Sequence, residues 1–199
     1  MLPETEIKAR EQAIYVQYQD IIAPFMAELE VRDREYPIEI FNEVRAIFTH
    51  LSRYKVKGTV DDVVAAERHV KRAILDCYKY LCISIADQIT RFREEYRKVD
   101  LKLADNGKFL PELDRLESIA KKAYIDAKKA DITQEESDDK LYILYENAYN
   151  NYAELHQFLE SSEEAILFAS SHSKQSNAVN YVSIAVTVIS IILAVVAWL

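Results

Sequence analysis

The sequence predicts an all-α protein, an antiparallel helical bundle of long helices with a single C-terminal transmembrane helix. The composition supports this, because two Gly and four Pro in 199 residues leave little material for the turns of a β-rich fold. Apolar residues recur at steps of three and four along most of the chain, which is the helical period. Residues 181–199 carry no charge, no Gly and no Pro, and as a helix they would extend about 28 Å, close to the thickness of a bilayer core.

The first two predicted helices are bounded by proline and glycine. The spacing of apolar residues predicts a helix over residues 4–31, bent in its middle by Pro24. A second helix begins at Pro37 and ends near Lys57, because proline suits a first turn and Gly58 suits the position after the last turn. Its expected buried face consists of Ile40, Phe41, Val44, Ile47, Phe48 and Leu51.

Two further helices are predicted in the middle of the chain. The third helix extends from about residue 60 to residue 103, and Thr59 with Asp62 forms its expected N-terminal cap. A turn at residues 105–107 separates it from a fourth helix, which covers about residues 109–130.

A fifth helix leads into the predicted span. Thr133 with Glu136 forms a capping box at its start. From there a four–three alternation continues through Leu141, Tyr145, Ala148, Tyr152, Leu155, Leu159, Ser162, Ile166, Ala169, Ser173, Ser176 and Asn180. Two explanations stay open: this stripe packs into its own bundle, or it packs against other copies. We therefore divide the chain into a bundle (1–172), a juxtamembrane hinge (173–180) and a span (181–199).

The predicted span carries its small and polar residues on one helical face: Asn180, Ser183, Thr187, Ser190, Ala194 and Ala197. Membrane helices use such residues to approach one another and to hydrogen-bond across the contact. The pattern favours self-association of the spans and, as a further step, a narrow polar pore. The alternative is that the hydroxyls bond their own backbone carbonyls.

Charge and cysteine usage indicate the compartment and exclude several functions. The formal net charge of −8 argues against binding of duplex nucleic acid, which needs clustered cations. Cys77 and Cys82 are too few for a disulfide framework and fit a reducing compartment. The N-terminus lacks an apolar signal, so we expect a single-pass protein with a cytosolic N-terminal domain in the bacterial inner membrane.

The histidines do not have the spacing of a metal site. The four histidines are His50, His69, His156 and His172. None of them has an acidic residue three positions before it, and no two of them are four positions apart. No phosphate-binding glycine loop is present. We therefore expect neither a metal nor another cofactor.

One motif has the form Arg-x-x-x-x-His, with Arg45 and His50 inside an apolar helix. Residues 42–53 resemble the signature helix of HEPN proteins, and residues 67–76 resemble the partner helix of that family. The resemblance implies a small, often dimeric helical bundle, and many members are metal-independent ribonucleases. It also implies that Arg45 stabilises phosphate charge and that His50 assists attack by the RNA 2′-hydroxyl. The alternative is that Arg45 pairs with a carboxylate such as Glu39 or Glu43 and that His50 closes a helix contact.

A basic cluster is the candidate ligand site. Its residues are Arg68, His69, Lys71 and Arg72. Such a cluster can bind a nucleotide or a phosphate, or it can be a solvated face balanced by Glu67 and Asp76. Four tyrosines at helical spacing are expected to pack between helices or to stack a base: Tyr142, Tyr145, Tyr149 and Tyr152.

The architecture resembles the membrane-disrupting effectors of bacterial antiviral systems, in which a small, often nucleotide, signal triggers leakage of the inner membrane. The resemblance implies a homo-oligomer that permeabilises the membrane or forms an ion-conducting pore. Two alternatives remain: a membrane-anchored ribonuclease that uses Arg45 and His50, and a non-enzymatic tail-anchored adaptor that recruits partners.

Overall fold

A computed structural model describes residues 3–34, 36–133 and 138–173, and within these ranges the secondary structure is helical without any strand. The all-α prediction is therefore confirmed. The described chain forms two compact units, one from residues 3–88 and 118–154 and the other from residues 89–117 and 155–173. Neither the hinge beyond residue 173 nor the span at 181–199 lies within the described residues.

The first predicted helix is interrupted by a π-helical turn. Helix α1 covers Glu4–Gln17, the π turn covers Tyr18–Ile22, and α2 covers Ala23–Asp33. The amide of Ala23 donates to the carbonyl of Tyr18, five residues back. Pro24 has no amide hydrogen and its ring would clash with the carbonyl four residues back, so the wider turn accommodates it inside a continuous helical path.

Helix α3 covers Ile38–Lys57, with the predicted boundaries. Gly58 ends it with a left-handed φ of 70°, and its amide donates to the carbonyl of Tyr54 at 2.8 Å. The predicted buried face is wrong at two positions. Phe41 and Phe48 are 52% and 42% exposed, whereas the side chains that α3 buries fully are Ile40, Ile47 and Leu51.

Helix α4 covers Val60–Glu95 and ends earlier than the predicted residue 103. A short 3₁₀ segment, Leu101–Gly107, follows it. Val99 and Leu103 prolong the apolar period of α4, but Leu103 is 39% exposed, and the residues that this segment buries are Leu101 and Ala104. The predicted turn is confirmed, because Asp105, Asn106 and Gly107 have φ values of 45°, 52° and 83°.

Helix α5 covers Phe109–Thr133, α6 covers Asp138–Ser161, and residues 163–173 are again helical. Thr133 belongs to the last turn of α5, where its hydroxyl donates to the carbonyl of Ala130. It is therefore not the start of the next helix, and Glu136, its predicted partner in a capping box, lies outside the described residues.

The core of the first unit is aliphatic with an aromatic edge. It consists of residues of the helices α1 through α4, together with Ala127 of α5 and Tyr145 of α6. Among its fully buried members are Ile14, Ile22, Leu29, Ile40, Ile47, Ile74 and Leu81. The core of the second unit is built around Phe109, which contacts Phe92 at 6.0 Å and Phe158 at 5.6 Å between ring centroids.

The stripe of the fifth predicted helix is largely buried within this single chain. In the first unit its buried members are Tyr145, Ala148 and Tyr152. In the second unit they are Leu155, Leu159, Ile166, Ala169 and Ser173. The described part of the stripe thus packs into its own bundle. The continuation of the stripe at Ser176 and Asn180, which the alternative of assembly between copies also involves, lies outside the described residues.

Candidate functional site

The predicted basic cluster is divided between two faces of α4. Arg68, Lys71 and Arg72 line a cavity, together with residues of α5 and α6. His69 lies on another face, where it contacts α3. The cluster is therefore two sites, which we call the basic cavity and the histidine pair.

The basic cavity belongs to the first unit and has a volume of about 240 Å³. That volume is below the 300–1,000 Å³ of sites that enclose drug-sized ligands. It fits a phosphate or diphosphate group, with the remainder of a larger ligand outside. Its lining consists of Arg68, Lys71, Arg72, Leu75, Asp131, Leu141 and Tyr142.

Positive charge dominates this lining. Arg68 and Arg72 are exposed, and neither forms an ion pair with any residue that the structure describes. Lys71 contacts Asp139 at 2.7 Å, with both side chains largely exposed. A solvated pair of this kind contributes at most about 1 kcal/mol, so an anionic ligand can compete for Lys71.

The one carboxylate in the lining, Asp131, is committed to the protein. It contacts the Lys79 ammonium at 3.0 Å and accepts a hydrogen bond from the buried Tyr145 hydroxyl at 2.9 Å. Burial alone would raise the pKa of Asp131, but these two partners outweigh burial and lower it. Asp131 is therefore ionised at neutral pH and holds α4 to α6.

The tyrosines divide between the core and the cavity wall. Tyr145 and Tyr152 are buried, which agrees with the packing interpretation. Tyr142 lines the cavity, and its ring meets Tyr78 edge-on at 5.6 Å. Tyr78 also stacks on Tyr149 at 5.4 Å. Tyr142 is therefore the one member of the predicted set that reaches the cavity.

The histidine pair consists of two imidazoles, each held by a carboxylate of the facing helix. His50 Nδ1 of α3 lies 2.8 Å from Asp62 Oδ1, and His69 Nδ1 of α4 lies 2.6 Å from Glu43 Oε2. The rings stack with centroids 5.3 Å apart and an interplanar angle of 21°. A carboxylate at Nδ1 fixes the tautomer that donates there, which leaves Nε2 as the acceptor.

Asp62 therefore uses its side chain to hold His50, in contrast to its predicted role as part of a helix cap. The two acid–histidine contacts are reciprocal, because α3 and α4 are antiparallel and both helices carry the acid seven positions before the histidine. Neither Glu43 nor Asp62 was predicted as a site residue. The equal spacing of Glu43 to His50 and of Asp62 to His69 was the available signal.

Arg45 lies apart from this pair. It is five positions before His50 on α3, which places it about 140° around the helix axis, and its side chain is exposed. Neither Glu39 nor Glu43 pairs with Arg45 in the described structure: Glu39 accepts a hydrogen bond from Tyr80, and Glu43 contacts His69. His50 does close a helix contact, as the packing alternative predicted.

Metal and thiol chemistry have no support in the described residues. Across residues 3–34, 36–133 and 138–173, no three His, Cys, Asp or Glu side chains come together as a metal site. Cys77 and Cys82 are free and fully buried, and burial raises the pKa of each thiol to about 12. Neither thiol is therefore a nucleophile at neutral pH.

Comparison with known proteins gives no relative: no protein-family model matches the chain, and no curated protein or solved structure is significantly similar to it. Among the described helices, none is both apolar enough and long enough to span a bilayer. The predicted seam of the span lies outside the described residues: Asn180, Ser183, Thr187, Ser190, Ala194 and Ala197.

Proposed function

We propose that the chain is a membrane-tethered helical effector whose basic cavity binds a small phosphate-bearing ligand. Binding gates the assembly of the predicted spans, which permeabilises the membrane or opens an ion-conducting pore. We place this activity in antiviral defence at a bacterial inner membrane, because the predicted architecture resembles that of the membrane-disrupting effectors of bacterial antiviral systems. The single observation that carries the ligand is the cavity itself, with three cations at its wall.

The chemistry of the lining favours phosphate over other anions. A guanidinium donates two parallel hydrogen bonds to phosphate oxygens, and two arginines flank Lys71 in the cavity. The Tyr142 ring and the side chains of Leu75 and Leu141 supply an apolar wall, which suits the sugar or base of a nucleotide.

The contact between Lys71 and Asp139 suggests how binding is transmitted. Asp139 lies in the first turn of α6, and Lys71 lies on α4. A phosphate that takes Lys71 leaves Asp139 unpaired and frees the start of α6. Because α6 precedes the helical residues 163–173 and the predicted span, a change in its packing is the step that we assign to signal transfer.

The test is to measure, by calorimetry, the binding of inorganic pyrophosphate and of ATP to the full chain in detergent. We expect Arg68→Gln with Arg72→Gln to weaken binding by at least about tenfold, since each charge-assisted hydrogen bond contributes about 1.5–3 kcal/mol before screening. The matched control is Lys122→Gln with Lys129→Gln, which removes two exposed cations outside the cavity lining. Equal binding by the two double variants would contradict the proposal.

A second candidate is the membrane-anchored ribonuclease, and the histidine pair favours it. An imidazole whose Nδ1 is held by a carboxylate is arranged to accept a proton at Nε2. His50 would take the proton of the 2′-hydroxyl as its oxygen attacks phosphorus, the P–O5′ bond breaks, and the leaving oxygen takes a proton from water. Arg45, in the role that the HEPN resemblance implies, would stabilise the phosphate charge.

The two candidates predict different variants to be inactive. If the chain is a ribonuclease, Arg45→Ala and His50→Ala abolish RNA cleavage while the helical circular-dichroism signal is kept. If it is an effector gated through the basic cavity, both variants retain membrane permeabilisation. An adaptor, the third possibility, shows neither activity in any variant.

A further inference from the structure

The segment between α4 and α5 carries four exposed cations, which we call the basic turn: Arg97, Lys98, Lys102 and Lys108. Only two carboxylates, Asp100 and Asp105, lie within residues 97–108, so this segment has a net charge of +2 in a chain of net charge −8. No residue in the described ranges forms an ion pair with any of the four cations. Arg93, by contrast, is held by Asp114 and Glu117.

A long-range hydrogen bond places the basic turn beside the end of the described chain. The amide of Asp100 donates to Ser173 Oγ at 3.2 Å, although 73 positions separate the two residues. Ser173 is 6% exposed, so this contact lies inside the second unit. Residue 173 precedes the apolar stretch 181–199 by eight positions, a distance of about 12 Å as a helix or at most about 28 Å if fully extended.

The turn is held in shape by its own contacts. The Asp100 carboxylate accepts a hydrogen bond from the amide of Lys102 at 3.2 Å. The side chains of Leu101 and Ala104 are buried, and their burial anchors the segment to the protein. Leu103 between them is 39% exposed, beside the exposed Lys102. An apolar side chain next to free cations is typical of a segment that lies at a lipid headgroup surface.

We infer that the basic turn binds the anionic headgroups of the membrane in which the span is anchored. This inference rests on the proposed membrane anchor. Lys and Arg near the end of a span mark the cytoplasmic side, and anionic lipids attract each such cation. In sequence only Lys174 lies close before the span; the fold supplies further cations through the contact of Asp100 with Ser173.

Nearby acidic residues set the limit of this attraction. Glu94 and Glu95 share an open surface depression with Arg91, Arg97 and Lys98. Binding therefore depends on the whole turn, and especially on Lys102 and Lys108, which lie outside this depression. It is also screened by salt, because every cation involved is exposed.

The experiment places an environment-sensitive fluorophore at the turn of the full chain. Leu103→Cys offers one reactive site, since Cys77 and Cys82 are 0% and 1% exposed. The labelled chain is reconstituted into nanodiscs of phosphatidylcholine, alone or with 30% phosphatidylglycerol. We expect a blue-shifted, brighter emission only with phosphatidylglycerol, and its reversal in 0.5 M salt.

A charge variant and a matched control identify the cause. Arg97→Gln, Lys98→Gln and Lys102→Gln together should lower the ratio of bound to free turn by more than about tenfold. The control removes the same charge from α5 and should leave the emission unchanged: Lys122→Gln, Lys128→Gln and Lys129→Gln.

Three outcomes would overturn the inference: emission that does not depend on the lipid, equal effects of the two triple variants, or the same shift in neutral nanodiscs with inorganic phosphate added. The first two leave the proposed anchor intact, provided the chain co-purifies with the nanodisc. Failure of the chain to enter nanodiscs of either composition would instead refute the anchor on which the inference rests.

Discussion

Asp131 links the stability of the first unit to the charge of the basic cavity, and Asp131→Asn should change the two in opposite directions: lower stability and tighter anion binding. The amide keeps the shape of the side chain and an acceptor for the Tyr145 hydroxyl, but it removes the negative charge. The ion pair with Lys79, less than a third exposed on both sides, contributes about 1 kcal/mol. Replacing a charged acceptor by a neutral one costs about 1 kcal/mol more.

Asp131→Asn is therefore expected to lower the free energy of unfolding by about 2 kcal/mol, which corresponds to a fall of about 4–8 °C in melting temperature for a chain of this size. The lowered pKa of Asp131 determines its pH dependence. A carboxyl group whose folded pKa is depressed stabilises the fold above its unfolded pKa, and this contribution is lost as the pH falls through the folded value. The difference between variant and wild type should be full at pH 7, should begin to shrink as the pH falls past the ordinary carboxyl value of about 4, and should vanish only once the pH lies below the lowered folded pKa.

The same substitution should strengthen anion binding in the cavity. A unit charge about 8 Å from the ligand contributes about 0.5–2 kcal/mol at effective dielectric constants between about 80 and 20. We therefore expect pyrophosphate to bind Asp131→Asn at least about twofold more tightly. The assays are thermal unfolding followed by far-ultraviolet circular dichroism, and calorimetry with pyrophosphate.

The matched control is Asp126→Asn, which removes the same charge from an exposed position of α5 outside the cavity lining. It should change neither melting temperature nor binding appreciably. The reasoning is refuted if Asp131→Asn and Asp126→Asn have equal stability, or if pyrophosphate binds Asp131→Asn more weakly than it binds wild type.

Three further predictions follow from the packing and from the proposed gate. In urea denaturation, Ile40→Ala should lower the free energy of unfolding by about 2–5 kcal/mol, whereas Phe41→Ala at the neighbouring position should lower it by less than about 1 kcal/mol. Similar losses would contradict the observation that α3 buries Ile40 and exposes Phe41. Asp139→Asn should increase dye release from vesicles without any ligand, because it breaks the contact between Lys71 and the start of α6, as a phosphate bound to Lys71 would; unchanged release argues against this trigger. Replacing Ser183, Thr187 and Ser190 of the predicted span by leucine should abolish dye release but keep membrane localisation. Unchanged ion flux in this triple variant would exclude the polar seam.

The helix boundaries that proline and glycine determine could be predicted from sequence, and the details of packing could not. Pro37 and Gly58 bound α3 as expected because each acts through its own backbone geometry. Phe41 and Phe48 were assigned to the buried face because they are large and apolar. Ile40 and Ile47, one position earlier in each case, belong to the same predicted face and are buried in the core as expected.

The end of α4 depends on contacts that no local pattern contains. Val99 and Leu103 continue its period although the helix ends at Glu95, and the Asp100 amide beyond that end donates to Ser173, 73 positions further along the chain. The same reasoning applies to the sites. The cations of the basic cavity could be recognised as a group, whereas Asp131 and Tyr142 join them only through the packing of α5 and α6 on α4.

Release of a self-quenched dye from vesicles that carry the full chain tests the central proposal most directly. The proposal predicts that a member of a panel of mono-, cyclic and oligonucleotides triggers release. It also predicts that the response requires Arg68 and Arg72 but not Lys122 and Lys129. Release that no nucleotide alters, or that the Arg68→Gln, Arg72→Gln variant shows at the wild-type ligand concentration, would contradict it.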